Sequence, residues 1–598
     1  MAGLSKCAHC LSILTLSAAP LFGWQQQPDS PAQSGTAQSD STLTDSVAAA
    51  PVAWTERMVA TPQDRWGPDL LRHPWDVWGH SDIAATWLNP LVPGDIRVGA
   101  ALLDGSTAAP VLSVAIPAAT RAVKSIEHDD DLWGAPVAVA FKATPLNAGE
   151  RATQTFFYWD QGDFGFRDVQ VGTVINLSPG KNLMIAAQGM AHPGPRGRSV
   201  PEAVGIANFL LQNYLIDYRG TLSERVEVNY TLLHQQEGTG LPYWTPDSVI
   251  DADVRRSDTW SQGLSARWNS GPVSLKLYGS VLTATLVTAP SGAGTNYLDR
   301  RSQTAWLGGQ AAYRINERVA IQVTFHGKNR AIQDGQLGFL RVSSLLGSLR
   351  AHWAQGGLAV SGGLGATSAG FHVELSAALA GKLGRWRLSH ESVPYLDFPH
   401  FNRVATGGST FWIDRPSLVQ RTVMEVTFER RRLQLGIRAA QFLSPDGPSA
   451  VSAGGQIQLA PWPEVLSIKA AVVAVQSDLK RPLPVWVNAS GSLTLTLPLK
   501  RTRAKPFVSL KGILVGSDFT WWLDPRYGDL APLDRPDDDL RSMTFWGTYE
   551  MGIKVRQFEL RYGRINFTSQ TVQNSPIYLS PLPMTHYSLT WQFFPPDD

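Results

Sequence analysis

Cys7 and Cys10 enclose Ala8 and His9, the C-x-x-C spacing that a redox pair or a metal site would use. Ser477 and Lys480 stand in the S-x-x-K order of a serine nucleophile and its lysine base. The triplets Asp129–Asp131 and Asp537–Asp539 carry enough carboxylate to attract Ca²⁺. The surroundings of each speak against chemistry. Both cysteines lie in or beside a short apolar run, Cys10 to Ala19, preceded by Lys6 and followed by small residues, the order of a secretory signal. Ser477 falls in an expected loop rather than at a helix start, and acidic triplets are more often solvated loop than metal site. The 12 histidines show no metal-ligand spacing, and neither G-x-S-x-G nor H-E-x-x-H occurs. No catalytic residue, metal site or cofactor is expected, and the chain is read as a non-enzyme.

The chemistry therefore has to come from the elements that would hold other polar residues. A soluble chain of 598 residues should divide into roughly three to five domains, with composition shifts between them. No such shift occurs after about residue 150. Nothing beyond the N-terminus approaches the ~18–20 apolar residues of a membrane helix. The 52 basic and 50 acidic residues leave a net charge of +2, which gives no reason to expect a nucleic-acid partner. From Ala152 to Phe594 one pattern recurs: segments of about ten residues alternate apolar and polar between Gly, Pro, Asn or Asp turn signals. Val273, Leu275, Leu277 and Val281 share one face; Ser274, Lys276, Tyr278 and Ser280 share the other. Short connections such as 178–181, 269–272, 315–318 and 555–557 take turns with longer ones at 191–204, 235–258, 284–301, 328–341, 391–417, 516–540 and 567–582.

That arrangement predicts an all-β chain: a transmembrane antiparallel β-barrel of about 22 strands, within a range of 16–22, short turns at one end and long loops at the other. The domain plan is a signal peptide over 1–23, a disordered linker over 24–61, a reduced plug-like domain over 62–150 and an outer-membrane barrel over 151–598.

The last strand carries Tyr587, Leu589, Trp591 and Phe593 on one face. An aromatic alternating strand near the chain end resembles the assembly signal of bacterial outer-membrane proteins. With Tyr578 to Pro583 before it, it looks like the end of TonB-dependent receptors and related large porins. Asp95 to Asp104-Gly105 is similar to a plug strand of that family. Ile126-Glu127, then Trp133-Gly134 and Val137 to Lys142, resemble its later plug stretch, with Pro136-Val137 replacing the usual double glycine. Thr55 to Thr61 resembles the TonB-contact box. The resemblance implies a solute transporter of the bacterial outer membrane, a periplasmic energising protein as partner, and the barrel-assembly machinery and outer-membrane lipid as others. A passive porin with a vestigial plug, a non-transporting adhesin or envelope-assembly barrel, and an outer-membrane hydrolase are the alternatives.

On the barrel reading the polar faces direct Lys276, His326, Glu374, Arg438, Lys511, Glu550, Lys554, Glu559 and Arg561 into the lumen. An ionised group facing lipid at mid-membrane would cost about 2–4 kcal/mol. These groups either form rings that select a solute or solvate the lumen and anchor a plug. Trp521, Trp522, Asp524, Arg526 and Tyr527 have the composition of a ligand-contacting loop, or of the aromatic belt at a membrane interface.

Overall fold

The computed structural model describes residues 96–103, 123–128, 141–145, 153–163, 167–192, 209–245, 248–289, 298–335, 338–367, 370–381, 384–395, 417–430, 432–443, 450–477, 485–499, 503–518, 521–524, 529–532, 541–565, 567–568 and 584–593. The signal-peptide and linker expectations over 1–61 lie outside them. Among the described residues no helix is long and apolar enough to cross a membrane.

Alternation sets the architecture. A strand with one apolar and one polar face must put the first against lipid and the second into a wet interior, and only a closed sheet satisfies every backbone group there. Twenty-two antiparallel strands do this, from Thr153–Gly162 to Met584–Phe593, and the last pairs with the first through Phe593↔Thr155 to His586↔Gly162. The burial pattern is inverted relative to a soluble protein. Leu307 and Leu364 are 65% and 67% exposed on the outer face, whereas Gln170 and Thr304 show no exposure at all. A closed barrel with such an apolar belt fits the bacterial outer membrane.

Tight connections join strands at one end, among them Pro179-Gly180, Glu224-Arg225 and Arg556-Gln557. Both barrel termini lie at that end, which makes it the periplasmic one in an outer-membrane barrel. Trp268 and Trp260 both face outward on the strand Ser248–Ser270. Their eight-residue separation spans about 26 Å along a strand, or roughly 20 Å along the axis at an ordinary tilt, close to the height of a lipid-facing band. Trp260 stacks on His234 at 3.7 Å, and His234 in turn on Tyr214 at 5.8 Å, marking the outer boundary.

Two stretches differ from expectation: in 328–341 the strands Val319–Asp334 and Gly338–Gln355 run on until only 335–337 separate them, and the second is longer. Residues 235–258 are not a loop: Val226–Thr245 and Ser248–Ser270 run on as a single long hairpin with one irregularity near Ile250. Beyond the membrane both faces of a strand meet water, so alternation is no longer required and the sequence there loses its strand signature. The 516–540 connection likewise contains a two-stranded sheet, Trp521–Asp524 with Asp529–Pro532.

Apart from the barrel, four short strands make a small mixed sheet. Ala101–Leu103 lies beside Ile96–Val98, which pairs in parallel with Phe141–Pro145, and Val123–His128 closes the other edge.

Candidate functional site in the barrel lumen

The hairpin 96–103 lies against the polar face of the barrel wall. Its turn residue Gly99 has φ +60°, the left-handed region that favours glycine. A Cβ there would overlap Asp217 Oδ1 and Thr231 Oγ1, so the hairpin approaches the wall as closely as backbone can. The Ala100 N–H donates to Thr231 Oγ1 at 2.8 Å, and the Thr231 hydroxyl donates to Asp217 Oδ1 at 2.6 Å. Asp217 also accepts from Arg219 Nε at 2.9 Å. Leu102 presents a sheet edge, which would otherwise leave an N–H and a C=O unpaired. Ser280 Oγ accepts from that N–H at 3.0 Å, and Ser261 Oγ donates to that carbonyl at 2.6 Å. Val98, Ala101 and Leu102 are fully buried. Three hydroxyls from three neighbouring strands thus seat the hairpin.

Removing two of those hydroxyls gives a direct measurement. Ser261→Ala with Ser280→Ala leaves both buried polar groups of Leu102 without these partners, at about 1–3 kcal/mol each. Protease cleavage within 96–103 is expected to accelerate at least tenfold while the boiled and unboiled barrel still migrate differently on gels. Unchanged cleavage would show that the hydroxyls do not hold the hairpin.

A second polar cluster crosses the closure seam. Glu550, 2% exposed, receives Lys511 Nζ on Oε1 at 2.9 Å and an Arg561 guanidinium nitrogen on Oε2 at 3.2 Å. Arg561 also pairs with Glu559 and lies over the Phe507 ring at 5.4 Å. From the last strand, His586 Nδ1 sits 3.3 Å from Asp160 Oδ1 on the first, and the Tyr158 hydroxyl donates to Asp160 Oδ2 at 2.8 Å. The other ring nitrogen, Nε2, lies 4.0 Å from Glu550 Oε1 and against Gly563. This His–Asp pair therefore faces a carboxylate and a glycine on that side.

The rest of the lumen wall is lined by side chains hydrogen-bonded to one another. Gln170 and Gln188 both donate to Asp168, and Asn213 donates to Gln188, forming a ladder over three strands. On the wall formed by Leu298–Arg314 and Val319–Asp334, His326 is hydrogen-bonded to the Tyr278 hydroxyl at 3.1 Å. Lys328 lies 5.4 Å from the Trp306 ring centre, and Arg330 is almost wholly buried. Among the described residues no group of three or more His, Cys, Asp or Glu is placed to hold a metal ion.

Of the residues the sequence singles out, Lys511, Glu550, Glu559 and Arg561 meet in one network. Glu374 pairs separately with Arg350 at 2.6 Å, and His326 belongs to the Tyr278 contact. Lys276 is half-buried, and Lys554 is exposed near the periplasmic turn, opposite Glu559 in register. The Arg438 side chain lies outside the described residues, as do those of Trp521, Trp522 and Asp524, and all of Arg526 and Tyr527. Asp104, Gly105, Trp133 and Gly134 also lie outside; Ile126 and Glu127 belong to the strand Val123–His128. Tyr587 and Trp591 are exposed and Leu589 and Phe593 half-buried on the terminal strand. Sequence reasoning missed Thr231, Ser261, Ser280, Asp160 and Tyr158. The first three carry no distinguishing signal, since Ser and Thr recur on every polar face. Asp160 gives a weak one, an acid on the polar face of an otherwise aromatic strand.

No protein-family model matches the sequence, and no curated protein matches it. Solved structures do. The FrpB iron transporter of Neisseria meningitidis (F5-1 variant) superposes with a TM-score of 0.65 at 9% identity, over 86% of this chain and 94% of that one. A mutant of the ferric enterobactin receptor PfeA of Pseudomonas aeruginosa gives 0.64 at 11% identity, over 91% and 100%. The ferric yersiniabactin uptake receptor FyuA of Yersinia pestis gives 0.59 at 12% identity, over 79% and 85%. The likeness is one of fold, and it agrees with the resemblance to TonB-dependent receptors read from the chain end and the plug-like strands.

Proposed function

We propose that the protein moves a small solute across the outer membrane, with residues 62–150 as a reduced plug and a periplasmic protein supplying energy through the segment around Thr55 to Thr61. The observation that carries this reading is the seating of the 96–103 hairpin on the lumen wall by Thr231, Ser261 and Ser280. A pore meant to stay open has no use for a strand edge bonded to its inner wall. The fold neighbours, named as an iron transporter and as receptors for ferric chelates, support the same reading and make a ferric chelate the first solute to test. The lumen wall would contact the solute through the Asp168–Gln188–Asn213 ladder and the Lys328–Arg330 side.

Deleting Thr55 to Thr61 is expected to reduce energised uptake to background while the barrel still inserts and shifts on gels. Unchanged uptake would overturn the energised reading. A passive pore is the second reading, favoured by the shortness of the 62–150 segment. It requires steady single-channel conductance of the intact protein in planar bilayers, and a silent channel removes it.

A further inference from the structure

The periplasmic rim is a ring of cations. Arg225, Arg318, Arg432, Arg503 and Arg556 are exposed in the turns after the fourth, eighth, fourteenth, eighteenth and twentieth barrel strands. At the adjoining strand ends Arg267, Arg314, Arg430, Lys505 and Lys554 are exposed as well. Against these ten, the exposed acids described at that rim are Glu224, Glu227, Glu317 and Glu464. The whole chain carries only +2, so the rest of the molecule is acidic on balance and the positive charge is concentrated here.

We propose that this ring binds the phosphodiester headgroups of anionic glycerophospholipids in the inner leaflet of the outer membrane. Three observations converge on that partner. The first is depth. Trp268 and Tyr313 are exposed on the outer face and mark the lower edge of the apolar belt. Arg267 and Arg314, next to them in sequence, alternate to the inner face of the wall, and it is the turn arginines, a few residues further out, that lie at headgroup level. Long cationic side chains at that depth reach the phosphates while their stems cover apolar surface.

The second is distribution. The turn arginines are spread around the full circumference of the closed barrel. A protein partner docks on one side of a rim, whereas a lipid annulus surrounds all of it. The third is residue choice. Arg503 and Arg556 have φ of +52° and +51°, and Glu464 in another of these turns has +67°, a conformation that glycine or asparagine adopts with less strain. Arginine stands at two of these three positions nonetheless, and its planar fork suits a phosphate oxygen pair better than the ammonium of lysine. Eight of the ten exposed cations are arginine.

The test uses the full-length protein in detergent micelles doped with equal amounts of phosphatidylglycerol and phosphatidylcholine, with retained lipids counted by native mass spectrometry. Phosphatidylglycerol is expected to be retained about fivefold or more over phosphatidylcholine, the preference that even one near-surface cation provides. The preference should shrink toward parity at roughly 0.5 M NaCl, where exposed charges are screened. It should also shrink in the combined variant R225Q/R318Q/R432Q/R503Q/R556Q, shown to be closed by its heat-dependent gel mobility. The matching Arg→Lys variant keeps the charge and should retain most of the preference; should the glutamine variant not fold, single Arg→Gln changes must each lower it. Equal retention of the two lipids, or a preference the glutamine variants leave intact, overturns the proposal. Displacement of phosphatidylglycerol by millimolar glycerol phosphate would show a site for free phosphate esters instead. Binding to isolated peptidoglycan without any lipid preference would assign the ring to the cell wall.

Discussion

Replacing Glu550 by glutamine is expected to lower the unfolding free energy of the reconstituted barrel by about 3–5 kcal/mol, the loss typical when one member of a buried ionic cluster is neutralised. The amide keeps the shape but leaves Lys511 and Arg561 facing a neutral group at 2.9 and 3.2 Å, and removes the carboxylate near His586. Arg561 keeps Glu559. A urea titration in lipid vesicles, read as the fraction of protein retaining its unboiled gel mobility, measures the change. Adding Lys511→Met to Glu550→Leu removes the charge imbalance and should recover much of the loss, because a well-packed apolar pair can replace a buried ion pair at little cost. A loss under ~1 kcal/mol for the glutamine variant would mean that lumen water screens the cluster as it would a surface pair.

The second large effect is expected at Gly263. A Cβ there would overlap the carbonyl carbon and oxygen of Ala100 and the nitrogen of Ala101, all backbone atoms with no rotamer to give. Gly263→Val therefore separates the hairpin from the wall and breaks the bonds from Thr231, Ser261 and Ser280. Three net hydrogen bonds at about 0.5–1.5 kcal/mol each put the docking equilibrium roughly 10- to 1,000-fold toward the undocked state. Cleavage between residues 96 and 103 should become fast. If the hairpin occludes the lumen, single-channel conductance should appear in a protein that is otherwise silent. Valine is a good strand residue, so the barrel itself should remain closed. A variant as protease-resistant and as silent as the parent would show that the hairpin does not gate the lumen.

The barrel was readable because period-two alternation is enforced at every strand by lipid on one side and water on the other. The faces assigned to Val273–Val281 and to the terminal strand are the faces observed, Leu277 and Tyr587 outward and Ser280 and Ser588 inward. Alternation fails where its cause fails, as in the long hairpin 226–270, whose outer part has water on both faces. Partnership between the polar side chains of neighbouring strands was not readable. Whether Asp160 meets His586 depends on a register summed around the closed sheet over 426 residues, and a slip of one residue would turn either side chain outward. Lys511, Glu550 and Arg561 were identifiable as polar-face charges, yet nothing in their local sequence pairs them. The hairpin docking was hidden more deeply, because its partners are two serines and a threonine among dozens on the same faces.

The closure seam also fixes an order of events in time. Residues 155–162 find their missing neighbour only in residues 586–593, near the end of the chain. During export the first barrel strand must therefore keep one edge open until nearly everything behind it has arrived. No shorter piece of the chain can bury its own edges, so truncation near the carboxyl terminus is expected to abolish the barrel, not shrink it. The Asp160–His586 contact is the last link in that sequence, made only when the two ends of the wall meet.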